Sequence, residues 1–305
     1  MDGPDPAIAP EPEPRRSPLW LRVAGFAFGL ACLASAVSVA RGARGQFDAA
    51  LESLRSLDPM QVAAVLLAVA AGLFLSGLLF SMLTLRFARV PFGEMQALVT
   101  ASGLLNYLPL KPGFVGRVAY LRAQHGVRVA DSMRTIVEAL ALTGISAVSS
   151  TLALVSLRAI GVDGGWSLLA CVVPALLALQ PRGRTMLLAL AIRQAEFSLW
   201  IARYWIVFRL VGAPIGLDTA VVLSAISVIS SLIPFISNGL GVREWAVGLL
   251  TPLITGDAVG ASQAIVAELA HRALELAVFI PAGLVGLFAC IRSARARGSS
   301  RPRAT

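Results

Sequence analysis

Two stretches of the sequence join helix breakers to charge at short spacing. Positions 237–244 read SNGLGVRE, shortly after Pro234, and positions 111–117 read KPGFVGR, shortly after Asn106 and Pro109. A helix that begins after such a turn presents unpaired N–H groups and the positive end of its dipole. Ser237 and Asn238 as caps, Gly239 and Gly241 for tight backbone, and Arg243 in the first turn together make a seat for an anion. Lys111, Gly113, Gly116 and Arg117 repeat that logic earlier in the chain, and a lipid phosphate is the natural occupant of both. The same features also suit an interfacial loop whose arginine snorkels to headgroups.

Other charges interrupt apolar runs, where an unpaired charge is costly. Glu138 stands in one such run. Arg193 and Glu196 are three residues apart, a spacing that pairs them on a helix, and Arg203 falls on the same face seven residues after Glu196. Glu268, His271, Arg272 and Glu275 likewise share one helical face. Glu138 and Glu268 are expected to face a shared polar cavity. An imidazole there is a candidate proton relay, though His271 can equally serve only to complete packing and hydrogen bonds. Glu244, adjacent to Arg243, completes the set of candidate substrate-binding residues.

The chemistry that is missing narrows the field. There is no Walker loop, no HExxH or GxSxG motif and no Cys/His cluster, so nothing supports direct ATP drive or a resident cofactor or metal. Cys32, Cys171 and Cys290 are far apart in apolar runs and read as buried free thiols.

The elements that must position these residues are set by composition. Of 305 residues, 57% are hydrophobic and 14% charged, with mean hydropathy +0.77. Soluble domains carry roughly 25% charged residues. Apolar runs long enough to cross a hydrocarbon layer of about 30 Å recur, which makes this an all-α polytopic membrane protein. Full spans are expected near 19–40, 60–85, 135–157, 166–180, 185–208 and 272–291. Two Pro/Gly-broken segments, near 97–109 and 218–236, read as re-entrant. Positions 1–18 form a Pro-rich disordered lead and positions 292–305 a basic disordered tail, flanking a transmembrane domain at 19–291. The first run follows Arg15 and Arg16 as a signal peptide would, but its length and Arg22 favour an uncleaved span. The net charge of +9 lies between the apolar runs and at the chain ends, so lipid headgroups and membrane orientation explain it better than nucleic acid does. Lys111 is the only lysine among 26 lysines and arginines.

Internal similarity divides the domain into two halves, about 19–157 and 166–291. RFARVPFG at 86–93 parallels RLVGAPIG at 209–216, a weakly polar apolar run follows each, and each run leads into one of the two Gly/Arg motifs. Gly126 to Glu138 and Gly256 to Glu268 then repeat at equal spacing. Basic residues from Arg86 to Arg134 and in the tail argue for the cytoplasm. The span at 135–157 then runs outward and its partner at 272–291 inward, an inverted repeat with both termini cytoplasmic. Arg41, Arg44 and Arg55 fall on the opposite side and run against that rule.

LNYLPLKPGFVGR at 105–117, and especially PFISNGLGVREW at 234–245, resemble the flippase-like family typified by the transmembrane region of lysylphosphatidylglycerol synthase. Pro234, Gly239, Gly241, Arg243 and Glu244 match the signature of that family. Weaker similarity runs through IVEALALTG and ELAHRALEL. Two positions depart from its pattern: Phe114 stands where an acidic residue is common, and Ala139 where an arginine is common. The resemblance implies a polytopic domain in a bacterial inner membrane that moves polar lipids or lipid-linked compounds between leaflets, without the aminoacyl-transferase domain of the two-domain synthases. Two other readings stand beside that expectation: a membrane-embedded lipid-modifying enzyme using Glu268 and His271 as acid and base, and a non-catalytic partner of a separately encoded lipid-synthesis enzyme.

Overall fold

A computed structural model describes residues 19–42, 52, 58–108, 111–162, 184–232 and 237–299. Among them are nine α-helices, one short 3-10 turn and no strand. α1 is Leu19–Gly42, α2 Pro59–Thr84, α3 Phe92–Leu105, α4 Pro112–His125 and α5 Val129–Ala159. α6 is Arg184–Leu210, α7 Leu217–Leu232, α8 Val242–Thr255 and α9 Ala261–Ser299, with the 3-10 turn Ser237–Gly239 between α7 and α8. Four of these helices, α2, α5, α6 and α9, are long and apolar enough to cross a membrane. They contain the runs expected at 60–85, 135–157, 185–208 and 272–291. The run at 19–40 falls in α1, and the run at 166–180 lies outside the described residues, as do Pro109 and Pro234.

Local chemistry sets the helix ends. The Asp58 carboxylate accepts from the Met60 N–H at 2.9 Å and Pro59 opens α2 with a preset φ. α4 starts at Pro112 behind Lys111, whose φ of 47° lies in the left-handed region, and ends on left-handed Gly126. α8 is capped by Gly241 at φ 79° rather than by Ser237 or Asn238, correcting the expected N-cap. Asn238 (φ 45°), Gly239 (φ 72°) and Gly241 all turn left-handed to redirect the chain, so a side-chain cap never forms. A Cβ on Gly241 would also strike the Gly29 carbonyl and Cys32 of α1.

Two differences from the expected boundaries share one cause. α9 starts at Ala261 rather than near 272, and α5 at Val129 rather than near 135. The early turns of α9 are buried inside the protein, where Glu268 and His271 both meet Arg243 and need not be apolar. On α5, Arg128 pairs with Asp131 at 2.8 Å along the exposed surface.

Packing interleaves early and late helices of the chain. Short α3 lies along long α9, short α7 packs on α5, and α2 packs on α6. α4 fits between α3 and α5, and α8 between α7 and α9. Small residues permit these close approaches, as in other membrane helix pairs. Gly283 and Gly286 of α9 leave room only for Leu104 and for the Thr100 turn of α3. One apolar core gathers around Phe197, Tyr204, Phe208 and Ile265, the other around Leu79, Met95, Leu98 and Leu121.

Candidate functional site

The second broken segment delivers Arg243 into a charged cluster with no solvent exposure. Arg243 and Glu268 are both 0% exposed and form an ion pair through Nε and Oε1. Glu275 Oε2 lies 3.4 Å from Arg243 Nη1, and Nη2 meets His271 Nδ1. Tyr204 donates its hydroxyl proton to Glu268. Trp200 faces both Arg203, at 4.4 Å, and Arg243, at 5.2 Å, so two guanidiniums share one indole. Beside this group, Arg272 Nε pairs with Glu244 Oε1 at 3.0 Å and its Nη2 donates to the Asn238 carbonyl at 3.1 Å. Burying each charge demands an opposite partner, and here Arg243 finds two carboxylates and an imidazole. The expected shared face of Glu268, His271 and Glu275 exists, and what it faces is Arg243.

The first broken segment builds a different environment. A cavity of about 220 Å³ opens between α2, α3, α4, α5 and α6, lined by Ser76, Phe80, Asn106, Phe114, Arg117, Ala139, Thr143 and Arg193 among others. Asn238, from the second break, also lines it. Arg117 is 4% exposed, rests its guanidinium 3.9 Å over the Phe80 ring, and sends Nε to the Ser102 hydroxyl at 3.4 Å. Its Nη1 has no hydrogen-bond partner among the described residues, and neither does Asn106 Oδ1. Arg117 makes no ion pair with a described carboxylate. Arg193 does, to Glu196 at 2.7 Å, the pairing expected from their spacing; Glu196 also accepts from Ser76 at 2.9 Å.

The two breaks are joined directly. Lys111 Nζ donates to the Ser231 carbonyl near the end of α7 at 2.8 Å. Gly113 packs so closely on the Ser102 carbonyl and the Asn106 side chain that a Cβ has no room. Gly116 instead opens onto an apolar crevice on the neighbouring face of α4, with Leu98, Leu105, Tyr120, Leu287 and Ile291 as walls.

Other candidates fall elsewhere. Glu138 lines neither space: it pairs with Arg86 and with Arg134, 3.0 Å away, on the outer side of α5. Neither Glu138 nor Glu268, expected to face a shared cavity, lines either space: Glu138 is taken by Arg86 and Arg134, and Glu268 by Arg243. Arg203 is buried in the Trp200 stack, and Gly239 and Gly241 shape the turn without lining the cavity.

One cluster was not among the sequence candidates. At the far end of α3, Glu94 accepts from Tyr120 at 2.6 Å and meets His125 at 3.1 Å and Arg297 at 2.5 Å, clasping α3, α4 and the end of α9 together. Burial pushes the Glu94 carboxyl up, but hydrogen bonds from Arg297, Tyr120 and His125 outweigh it and hold the group at about 2. The signal for this clasp is spread over three distant segments and is invisible to spacing. Phe80 and Ser102, which hold Arg117, were missed because each sits unremarkably in an apolar run.

Among the described residues no group of histidine, cysteine and acidic side chains is arranged to hold a metal ion. No protein-family model and no curated protein sequence matches this chain.

Proposed function

We propose that this chain is an ATP-independent transporter that moves an anionic or polar lipid, or a lipid-linked precursor, across a bacterial inner membrane. The observation that carries the reading is Arg117: a buried guanidinium with a spare donor, lining a cavity at which both broken segments meet, and matched by no carboxylate among the described residues. A cation buried without an internal partner calls for an external anion. The apolar crevice beside Gly116 lies on the adjacent face of the same helix and suits a hydrocarbon chain, which favours a lipid as the source of that anion.

The element order supports two inverted repeats. α3, α4 and α5 run short, short, long around one break, as α7, α8 and α9 do around the other, and the first short helix of each set, α3 or α7, packs on the long helix of the other set. Broken helices facing each other across such a pair are where transporters of this build hold their substrates. Six spans follow if α1 and the run at 166–180 cross as well, and the arginine distribution then sets both termini in the cytoplasm. The resemblance to the flippase-like family fits this reading, and its two departures, Phe114 and Ala139, both line the cavity.

In this reading Arg117, Arg193, Asn106 and Asn238 meet the headgroup. Arg243, Glu268, His271 and Glu275 form a neutralised hub, and Arg272 extends from it to pin Asn238. Purified protein in liposomes, loaded with a fluorescent acidic phospholipid, tests the proposal through quenching of the label in each leaflet. Transport predicts exchange between leaflets without chemical change, lost in Arg117→Gln. A new lipid species on chromatography would replace it with an enzyme, and neither outcome with a non-catalytic partner.

A further inference from the structure

We infer that the cavity selects a headgroup whose only charge is a phosphate oxyanion, with hydroxyls as its remaining polar groups, and rejects headgroups that carry an ammonium. This rests on the lipid-transport reading only for the source of the phosphate. The charges on the cavity wall are Arg117 and Arg193; among the described residues that line it there is no aspartate or glutamate. The residues at the two breaks that lie outside the described set, 109–110 and 233–236, are Pro, Leu, Ile, Pro, Phe and Ile and bring no carboxylate either. The nearest acid in the ion-pair network, Glu196, is held by Arg193 and Ser76.

An ammonium entering this space would meet the uncompensated guanidinium of Arg117, while the one carboxylate close behind the wall, Glu196, is already taken up by Arg193. Like charges close together in a weakly screening interior repel strongly. Aromatic faces are the other way to hold an ammonium, and the Phe80 face, the one beside Arg117, is already covered by that guanidinium. A phosphate suits what is there: Arg117 Nη1 offers an unused charged donor. Asn106 Oδ1 is an acceptor with no donor; a headgroup hydroxyl can supply one without bringing a second positive charge beside Arg117. The hydroxyls of Ser76 and Thr143 already donate to Glu196 and to the Ala139 carbonyl, so they add acceptor oxygens rather than competing donors.

The test is native mass spectrometry of the full-length, detergent-solubilised chain with equimolar phosphatidylglycerol and phosphatidylethanolamine of identical acyl chains. The wild type is expected to retain phosphatidylglycerol over phosphatidylethanolamine by at least about tenfold, or about 1.4 kcal/mol. Arg117→Gln should bring the ratio near unity. Thr143→Glu, which sets a carboxylate on the wall, should move preference toward the amine lipid. Equal retention, or a preference for phosphatidylethanolamine, by the wild type overturns the inference whether or not either variant folds. Full displacement of phosphatidylglycerol by millimolar inorganic phosphate identifies a free-anion site and overturns the lipid assignment. The preference together with no leaflet exchange in liposomes leaves the selectivity standing and sinks the transport reading. Leaflet exchange without preference does the reverse.

Discussion

Arg117 and Arg243 each follow one of the two broken segments, yet they end in opposite situations. Arg243 sits in the first turn of α8, enclosed by Glu268, Glu275 and His271. Arg117 lies further along α4, over a phenylalanine ring, and faces a cavity with a donor to spare. Both are arginines and both are buried, so neither residue type nor burial separates scaffold from site. What separates them is whether the protein supplies the counter-charge. A guanidinium neutralised from within contributes to holding helices together, whereas one left without an internal carboxylate keeps an uncompensated charge that a ligand can meet.

Removing each arginine is the most direct way to break this comparison. Arg243→Ala removes the direct ion-pair partner of both Glu268 and Glu275, and breaking a buried ion pair in this way costs about 3–5 kcal/mol. The expected result is a large drop in thermal unfolding temperature or loss of monodisperse protein. Pairing Arg243→Met with Glu268→Gln and Glu275→Gln should recover much of that loss, since the uncompensated charges go together. Arg117→Gln should leave the unfolding temperature near that of the wild type and lower leaflet exchange at least tenfold, or about 1.4 kcal/mol. A large loss of fold in Arg117→Gln, with little in Arg243→Ala, would reverse the assignment of the two roles.

Smaller changes sharpen it. Gly113→Ala forces a methyl against the Ser102 carbonyl and should cost about 1–3 kcal/mol as overpacking. Because α4 moves with it, Arg117 shifts in the cavity, and exchange should fall more than stability does. The clasp around Glu94 gives the smallest and most conditional effect. Its carboxyl is held at about 2 against an ordinary 4.5, so the folded state binds the proton less readily than the unfolded chain. The stabilisation is therefore fully present above about 4.5 and disappears as pH falls toward 2. Comparing Glu94→Gln with the wild type across that window should show a difference in unfolding temperature that is constant at neutral pH and shrinks on acidification.

Much of the fold was legible in the chain. Membrane spans are read from long apolar runs because lipid leaves the backbone no alternative to internal hydrogen bonds. That is why the boundaries of α2 and α6 match the expected runs to within a residue or two. The Arg193–Glu196 pair and the common face of Glu268, His271 and Glu275 follow from helical periodicity alone. Periodicity failed at the ends of α5 and α9, where polar turns continue the helix because neighbouring groups satisfy them.

The candidate site was legible only in outline. Both breaks and their arginines stand out in the sequence, and Asn106 and Asn238 do line one cavity. Which arginine is open and which is enclosed depends on side chains brought from α6 and α9, on Phe80 of α2, and on Ser102 of α3. Apart from Ser102, none of these lies near the motifs in sequence. Composition and local pattern decide that helices form, where they break and which residues carry charge, because hydrogen bonding and hydrophobic periodicity act over a few residues. Whether a given charge is cancelled or left for a ligand is a Coulombic question between segments tens to hundreds of residues apart, and only their packing answers it.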